Sequence, residues 1–179
     1  SLIFFKCDIT NEDSVKQLFE LIKTKKGKLD TVINSAGIAG AELIATTKSV
    51  HKSESFKRIF DINTYGTFLV SKYAAKLMID ENQKNSESSC NGNIIMIASV
   101  AGIEGQRGQL AYSGSKSAII GMTLPMSRDL GKFKIRVNTI APGIIVTPMT
   151  QNILETGPMK AILAQTPLNT VGKPEHICE

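Results

Sequence analysis

The stretch Ile94–Lys116, with the sequence IIMIASVAGIEGQRGQLAYSGSK, decides the fold of this chain. It opens with the apolar run Ile94–Ala98, which has the length of a buried strand. A loop interrupted by glycines follows this run. Its end lies within a segment from about Tyr112 to Leu130 that is typical of a helix. A strand that is apolar along its whole length and leads into a helix is typical of a parallel sheet covered on both faces.

The same alternation of strands and helices extends in both directions along the chain. The predicted elements are strands at Leu2–Phe5, Leu29–Ile33 and Ile135–Ile140, helices from about Asn11 and over Ser53–Met78, and a polar surface loop at Asn82–Asn93. Thr10 is the expected N-cap of the first helix. The pattern indicates a doubly wound α/β fold, and we expect residues 1–179 to form one domain.

Small and polar residues follow the ends of the predicted strands. They are Asp8, Asn34–Gly37, Ser99 and Pro142–Gly143. Ligands of open parallel sheets bind beyond the carboxyl ends of the strands. These residues therefore predict one binding crevice.

Composition and cysteine usage exclude several kinds of site. The cysteines, Cys7, Cys90 and Cys178, are widely separated, and only His51 and His176 are available as imidazole partners, so we expect neither a metal site nor a disulfide framework. Thiols suit a reducing compartment. No apolar run approaches the roughly 18 residues that a membrane span needs, and the net charge of +5 is explained first by a solvated surface.

Tyr112 and Lys116 are candidates for chemistry because four-residue spacing on a helix places both side chains on one face, about 6 Å apart along the axis. Tyrosine titrates near pH ~10, and a nearby cation favours phenolate and lowers that pKa. The pair alone is a weak signal, since the same spacing occurs on many exposed helices. Ser99, at a strand end, and Asn63, inside a predicted helix, make the set specific.

Together these residues resemble the short-chain dehydrogenase/reductase family. The matching motifs, spread over essentially the whole chain, are NxAG at Asn34–Gly37, the helix residue Asn63, Ser99, YxxxK at Tyr112–Lys116 and the turn Pro142–Gly143. Within the family, the 3-hydroxyacyl-CoA dehydrogenases of type 2 are the most similar subgroup, through Ile97–Gln106, Gly121–Pro125 and Thr139–Gly143. The resemblance implies a Rossmann-type doubly wound parallel sheet.

The resemblance implies a catalytic role for each of four residues. Tyr112 exchanges the hydroxyl proton while hydride moves between the substrate carbon and nicotinamide. Lys116 lowers the tyrosine pKa and binds the nicotinamide ribose. Ser99 binds the substrate oxygen, and Asn63 holds a water in a proton relay with Lys116.

The resemblance also implies a dinucleotide site. Besides Tyr112 and Lys116, its residues are Asp8 and Ile9 near the adenine, Ser35, Ala36 and Gly37 along the dinucleotide, and Ile145 and Thr147 at the nicotinamide end. NAD is the expected cofactor. NADP stays open because the family's selecting residue lies in a first βαβ unit that this sequence does not contain.

The family's glycine-rich phosphate loop belongs to that same unit. Gly102, Gly105 and Gly108 do not replace it, since they follow the wrong strand at the wrong spacing. We therefore expect the sequence to be incomplete, lacking the first βαβ unit and a closing strand. Without that unit, the strand Leu2–Phe5 has no predicted partner.

An apolar segment follows the Pro-Gly turn. Its residues are Met149, Ile153, Leu154, Met159, Ile162 and Leu163. Apolar residues at helical spacing usually belong to the hydrophobic core, whereas the resemblance to the family favours a mobile lid over an apolar substrate.

The expected activity is NAD-dependent oxidation of a secondary alcohol, either the 3-hydroxyl of an acyl-CoA or a steroid hydroxyl. An NADPH-dependent 3-oxoacyl carrier-protein reductase is the alternative enzyme, and a scaffold subunit of a tRNA-processing assembly is the alternative of another class. By resemblance we expect a homotetramer in the mitochondrial matrix, with the cytoplasm left open. No membrane partner is expected, and nucleic acid only through that tRNA-processing assembly.

Overall fold

The computed structural model describes residues 2–82, 90–151, 161, 163–164 and 166–178. Helices and strands alternate along them, as the sequence predicts. The elements are α1 Glu12–Lys26, β1 Thr31–Asn34, α2 Ser53–Phe60, a π-helical segment Asp61–Gly66, α3 Thr67–Asn82, β2 Gly92–Ile97, a 3-10 turn Val100–Gly102, α4 Leu110–Gly131, β3 Ile135–Ile140 and α5 Glu175–Cys178.

The described strands form a parallel sheet in the order β1-β2-β3. Val32 of β1 lies beside Ile94 of β2, and Ile95 of β2 lies beside Asn138 of β3. The sheet confirms the predicted α/β class with a Rossmann-type parallel sheet. The predicted bounds of β3 are correct, and those of β1 and β2 differ from the structure by one or two residues.

Within the described residues the helices pack on one face of the sheet, so the predicted covering of both faces is wrong there. On the other face Ile33 is 59% exposed, and Arg136 and Asn138 are exposed as well. One buried cluster joins the strands to α3 and α4 and includes Met78, Ile94, Met96, Ile119 and Val137. A second cluster packs α1 on α3 through Val15, Phe19, Leu69, Ala74 and Leu77. Burial of these side chains holds α3 and α4 against the sheet.

The predicted strand Leu2–Phe5 is wrong. The segment forms no strand, and Leu2 is 100% and Phe4 90% exposed. A β-strand needs a neighbour to satisfy its backbone groups, and in the described part of the chain none pairs with this segment.

The predicted N-cap of α1 is also wrong by one residue. Asn11 caps the helix, because its Oδ1 accepts a hydrogen bond from the Ser14 backbone N–H at 2.9 Å. The Thr10 hydroxyl instead donates to Asp8 Oδ1 at 2.8 Å. Thr10 therefore lies one residue before the cap and bonds to Asp8.

The predicted long helix, Ser53–Met78, corresponds to α2, the π-helical segment and α3 in succession. The prediction of a helix is confirmed, with the addition of one wide turn at Asp61–Gly66. Part of the predicted polar loop, at positions 83–89, lies outside the described residues.

The chain divides into two compact units, Ser1–Ile140 and Ala141–Glu179. The sheet belongs to the first unit. In the second, Ile145 pairs with Gly172 in a parallel bridge. Of the apolar residues after the Pro-Gly turn, Met149 is 49% exposed and Leu163 is half-buried. The others, Ile153, Leu154, Met159 and Ile162, lie outside the described residues.

Cys7 is half-buried, and Cys90 and Cys178 are exposed thiols. The described residues contain no cluster of His, Cys, Asp and Glu side chains that could hold a metal ion. Within the same residues, every helix is too short or too polar to cross a membrane.

Candidate active site

Asn63 is fully buried in the π-helical segment, where a wide turn interrupts the α-helix. Such wide turns often occur at functional sites. The Asn63 carboxamide forms two hydrogen bonds with the backbone of Ile38, accepting from its N–H at 2.8 Å and donating to its carbonyl at 2.9 Å. The side chain therefore ties the segment after β1 to the helix.

The same carboxamide also contacts α4. Asn63 Nδ2 donates to Ser115 Oγ at 3.0 Å, and Ser115 Oγ donates to the carbonyl of Tyr112 at 2.7 Å. The Thr64 hydroxyl donates to the Ser115 carbonyl at 3.2 Å. The π-helical segment is thereby bonded to the turn of α4 that carries Tyr112 and Lys116.

Lys116 is 5% exposed. Its Nζ donates to the carbonyl of Ile97 at 2.8 Å and lies 5.8 Å from the centre of the Tyr112 ring. Burial lowers the pKa of Lys116 to about 8, because removing an ammonium from water disfavours its charged form. The structure thus places an amine with a perturbed pKa beside the tyrosine.

Ser99 lies at the end of β2 and caps the 3-10 turn that follows. Its Oγ accepts from the backbone N–H of Ala101 at 3.1 Å, so the hydroxyl hydrogen remains available for another acceptor. A Cβ at Gly102 would lie 2.9 Å from the carbonyl carbon of Lys116. Only glycine allows this turn to approach the backbone of α4 so closely.

Small residues at the end of β1 leave space beside this site. Ser35 and Ala36 are exposed, and Gly37 is half-buried. A Cβ at Gly37 would lie 3.2 Å from Asn63 Oδ1 and 3.5 Å from Lys116 Nζ. The absence of a side chain at Gly37 therefore lets this backbone lie close to Asn63 and Lys116.

Asp8 and Ile9 lie beside the π-helical segment. The exposed carboxylate of Asp8 accepts hydrogen bonds from both the backbone N–H and the hydroxyl of Thr10, and these bonds lower the pKa of Asp8. A Cβ at Gly66 would lie 2.6 Å from Ile9 Cδ1, so Ile9 packs directly on the helix backbone. A cavity of about 410 Å³ is lined by Asp8, Thr10, Glu54, Lys57, Arg58, Asp61 and Ile62.

The remaining predicted cofactor residues belong to the second unit. Ile145 and Thr147 are both half-buried. The backbone N–H of Thr147 donates to Thr150 Oγ1 at 3.0 Å, and the Thr150 hydroxyl donates to the carbonyl of Ile145 at 2.6 Å. These bonds hold the turn after Pro142–Gly143 together.

The structure thus connects Asn63, Gly37, Lys116 and Tyr112 and places the turn after Ser99 against the same helix. Sequence reasoning missed Ser115 and the backbone groups of Ile38 and Ile97. Ser115 lies within YSGSK, but no local sequence pattern predicts its role, because its partner Asn63 is distant in sequence. Backbone carbonyls carry no sequence signal at all.

Comparison with known proteins adds independent findings. A family model described as "Enoyl-(Acyl carrier protein) reductase" matches residues 1–179. The 3-hydroxyacyl-CoA dehydrogenase type-2 of Drosophila melanogaster is 45% identical over 150 residues, which are 83% of this chain and 58% of that protein. Its human counterpart is 43% identical over 155 residues, 86% of this chain and 59% of that protein.

Two further similarities lie outside that group. A 3-oxoacyl-[acyl-carrier-protein] reductase of Thermotoga maritima is 34% identical over 172 residues, 96% of this chain and 65% of that protein. The solved structure "ElxO with NADP Bound" has a TM-score of 0.81 and 30% identity, and the match covers 96% of this chain and 65% of that one. The chain therefore spans less than two thirds of the length of these relatives.

Proposed function

This chain belongs to the short-chain dehydrogenase/reductase family, and we propose that the protein transfers hydride between a secondary alcohol or ketone and a nicotinamide cofactor. In this proposal Tyr112 donates and accepts the proton, assisted by Lys116, Ser99 and Asn63. The observation that carries it is the buried amine of Lys116 beside the Tyr112 ring.

A buried lysine calls for a physical explanation. Lysine is almost never fully buried unless it is paired, and perturbed pKa values cluster at functional sites. The partner of Lys116 is the neutral carbonyl of Ile97, which stabilises the ammonium without cancelling its charge. That charge is then available to a neighbouring phenolate, which supports a role for Tyr112 in proton transfer.

Each side chain has a defined task in the proposed reaction. Tyr112 takes the hydroxyl proton during alcohol oxidation and returns it during ketone reduction, while the Lys116 ammonium stabilises negative charge on the phenol oxygen. Ser99 donates its free hydroxyl hydrogen to the substrate oxygen. Asn63 Oδ1 keeps a second lone pair, with which it holds the water of the proton relay.

The residues present fit a nicotinamide cofactor. Ser35 and Ala36 are small and exposed along its proposed path, and the exposed carboxylate of Asp8 offers an acceptor to an adenine amine. When bound, the cofactor supplies or accepts the hydride. We assign NAD by resemblance, and NADP remains the alternative because the similar ElxO structures carry NADP or NADPH.

The proposed substrate is a 3-hydroxyacyl-CoA, with a hydroxysteroid as a further candidate. Support comes from the relatives named 3-hydroxyacyl-CoA dehydrogenase type-2. The relative named 3-oxoacyl-[acyl-carrier-protein] reductase favours the second candidate function, NADPH-dependent reduction of a carrier-protein thioester. The two candidates share the same proton chemistry and differ in the thioester carrier and in the nucleotide.

A two-by-two assay of the full-length protein separates these candidates. Acetoacetyl-CoA and acetoacetyl carrier protein are each reduced with NADH and with NADPH. We expect the highest kcat/KM for acetoacetyl-CoA with NADH. A preference for the carrier-protein thioester with NADPH would establish the alternative, and no turnover of either thioester would contradict both.

The remaining proposals concern the whole protein. By resemblance to the subgroup, we propose a homotetramer in the mitochondrial matrix, with residues 1–179 as part of a single cofactor-binding domain. Sedimentation of the full-length protein tests the assembly, and imaging of a tagged protein in cells tests the location. A monomer or a cytoplasmic signal would contradict the respective proposal.

A further inference from the structure

We propose that Ser115 is a positioning residue, whose hydroxyl orients the Asn63 carboxamide against the turn of α4 that carries Tyr112 and Lys116. The inference rests on the proposed function, since it assigns Ser115 a part in the same proton transfer. Ser115 is fully buried and is not one of the residues that the family resemblance identifies.

The hydrogen-bond inventory of Asn63 shows what the hydroxyl does. A carboxamide nitrogen has two hydrogens to donate. One is directed to the carbonyl of Ile38 and the other to Ser115 Oγ. Because the first contact lies after β1 and the second lies on α4, the plane of the carboxamide is held from two separate elements.

A hydroxyl is the group that this position requires. Ser115 Oγ accepts from Asn63 and donates to the carbonyl of Tyr112. Alanine can do neither, and it would leave a buried N–H of Asn63 without its partner. The contact with the Tyr112 carbonyl also restrains the helical turn that precedes Lys116.

A second contact strengthens the connection at the same residue. The Thr64 hydroxyl donates to the Ser115 carbonyl. The consecutive residues Asn63 and Thr64 therefore bond to the side chain and to the backbone of Ser115, respectively. Lys116 follows immediately in the chain, and Gly37 brings the backbone after β1 close to both Asn63 Oδ1 and Lys116 Nζ. A rotation of the carboxamide would therefore change the surroundings of Lys116.

The kinetic test compares Ser115→Ala with Ser113→Ala in the full-length protein, using acetoacetyl-CoA and NADH. Misplacement of a catalytic group costs on the order of 10- to 100-fold in rate, so kcat of Ser115→Ala should fall by that range. KM for both substrates should change little, and the pH profile of kcat should shift. Ser113 is the matched control, because no partner for its buried hydroxyl is found among the described residues.

Equal losses of kcat in the two variants, or an unchanged kcat and pH profile in Ser115→Ala, would overturn the proposal. Exchange of side-chain amide protons in protein with isotope-labelled asparagine gives a readout that needs no turnover. In the wild type, both Asn63 carboxamide protons should exchange far more slowly than those of exposed Asn11. Ser115→Ala should accelerate exchange at Asn63, whereas Ser113→Ala should not.

The exchange experiment also separates the two hypotheses. If the wild type turns over no thioester but protects the Asn63 protons, the proposed function fails while the contact with Ser115 stands. If Ser115→Ala does not fold, amide-proton exchange at Asn63 in the wild type tests the proposal by itself. Exchange at Asn63 as fast as at Asn11 would then refute the positioning role.

Discussion

Lys116 Nζ donates a hydrogen bond to the carbonyl of Ile97 at 2.8 Å. The bond joins α4 to the last residue of β2, two positions before Ser99, so one contact ties the lysine that assists Tyr112 and the candidate substrate-binding serine to the same strand end. It also gives a buried amine a partner without neutralising it. The remaining ammonium hydrogens stay available to a ribose or a water.

Burial of Lys116 predicts a specific pH dependence of stability. Its pKa is about 8 in the folded protein and 10.5 in the unfolded chain, so the unfolded state binds more protons between these values. The free energy of unfolding should therefore rise with pH in that window, by about 3 kcal/mol, relative to Lys116→Met. Denaturant titrations from pH 7 to about 10.5 measure it.

Both proteins are compared in a Tyr112→Phe background, so that ionisation of that phenol does not contribute. Burial of the Lys116 ammonium lowers the free energy of unfolding by its full amount below pH 8, and this cost decreases as the pH rises above 8. A constant difference between the two proteins across this range would show that Lys116 is not desolvated as the structure indicates.

Tyr112→Phe should reduce kcat by about 100-fold or more, because general acid–base catalysis contributes at least that factor. The ring and its packing remain, so thermal stability should change little. Steady-state kinetics with acetoacetyl-CoA and NADH provide the measurement. Tyr65→Phe, at a position 42% exposed on the π-helical segment, is the control and should retain wild-type kcat. Turnover that survives in Tyr112→Phe would refute the mechanism.

Gly66→Ala should weaken cofactor binding. Its Cβ would lie 2.6 Å from Ile9 Cδ1 and 2.7 Å from Ile9 Cγ1, so Ile9 must move. Because Asp8 and Ile9 are the predicted adenine contacts, the KM for NADH should rise more than kcat falls. Initial rates at varied NADH concentration check this.

Gly121→Ala is the matched helical control for that substitution. Apart from its chain neighbours and the adjacent backbone of its own helix, a Cβ there meets no described atom within 4 Å. Replacing this helical glycine should leave the KM for NADH unchanged and stabilise the fold by roughly 0.5–1 kcal/mol. Equal NADH affinity in the Gly66 and Gly121 variants would argue against a cofactor role for Ile9.

Glu12 connects α1 to α3 and should contribute stability that acid removes. Its Oε1 accepts from Lys72 Nζ and from the Tyr73 hydroxyl, each at 2.7 Å. Chiefly through Lys72, these contacts lower the pKa of Glu12 below 4.5, so their contribution is present above pH 4.5 and lost as the pH falls below it.

Thermal unfolding of wild type and Glu12→Gln from pH 7 to 3 tests this linkage. The wild type should have the higher Tm at pH 7, and the difference should shrink toward pH 3. Glu20→Gln, an exposed position on the same helix, should show no such trend. A difference between wild type and Glu12→Gln that does not depend on pH would contradict the assigned contact.

Local patterns in the sequence predicted much of the fold. The segment Ile135–Ile140 is a strand with the predicted bounds, because its alternation of apolar and polar residues and its flanking turns are local features of the sequence. Leu2–Phe5 is apolar throughout and yet is no strand, because strand formation also depends on a neighbouring strand. Asn11 is the N-cap and Thr10 is not, because Asn11 accepts from the Ser14 backbone N–H while Thr10 bonds to Asp8. These contacts depend on the three-dimensional structure and cannot be read from two adjacent polar residues.

The candidate site divides in the same way. The sequence by itself determined which side chains are present and, through the helical period, that Tyr112 and Lys116 share a face. Their catalytic roles remain predictions. Only the tertiary structure decided that Lys116 is buried against the carbonyl of Ile97 and that Ser115 meets Asn63, because desolvation and hydrogen bonding between distant segments depend on how the chain packs.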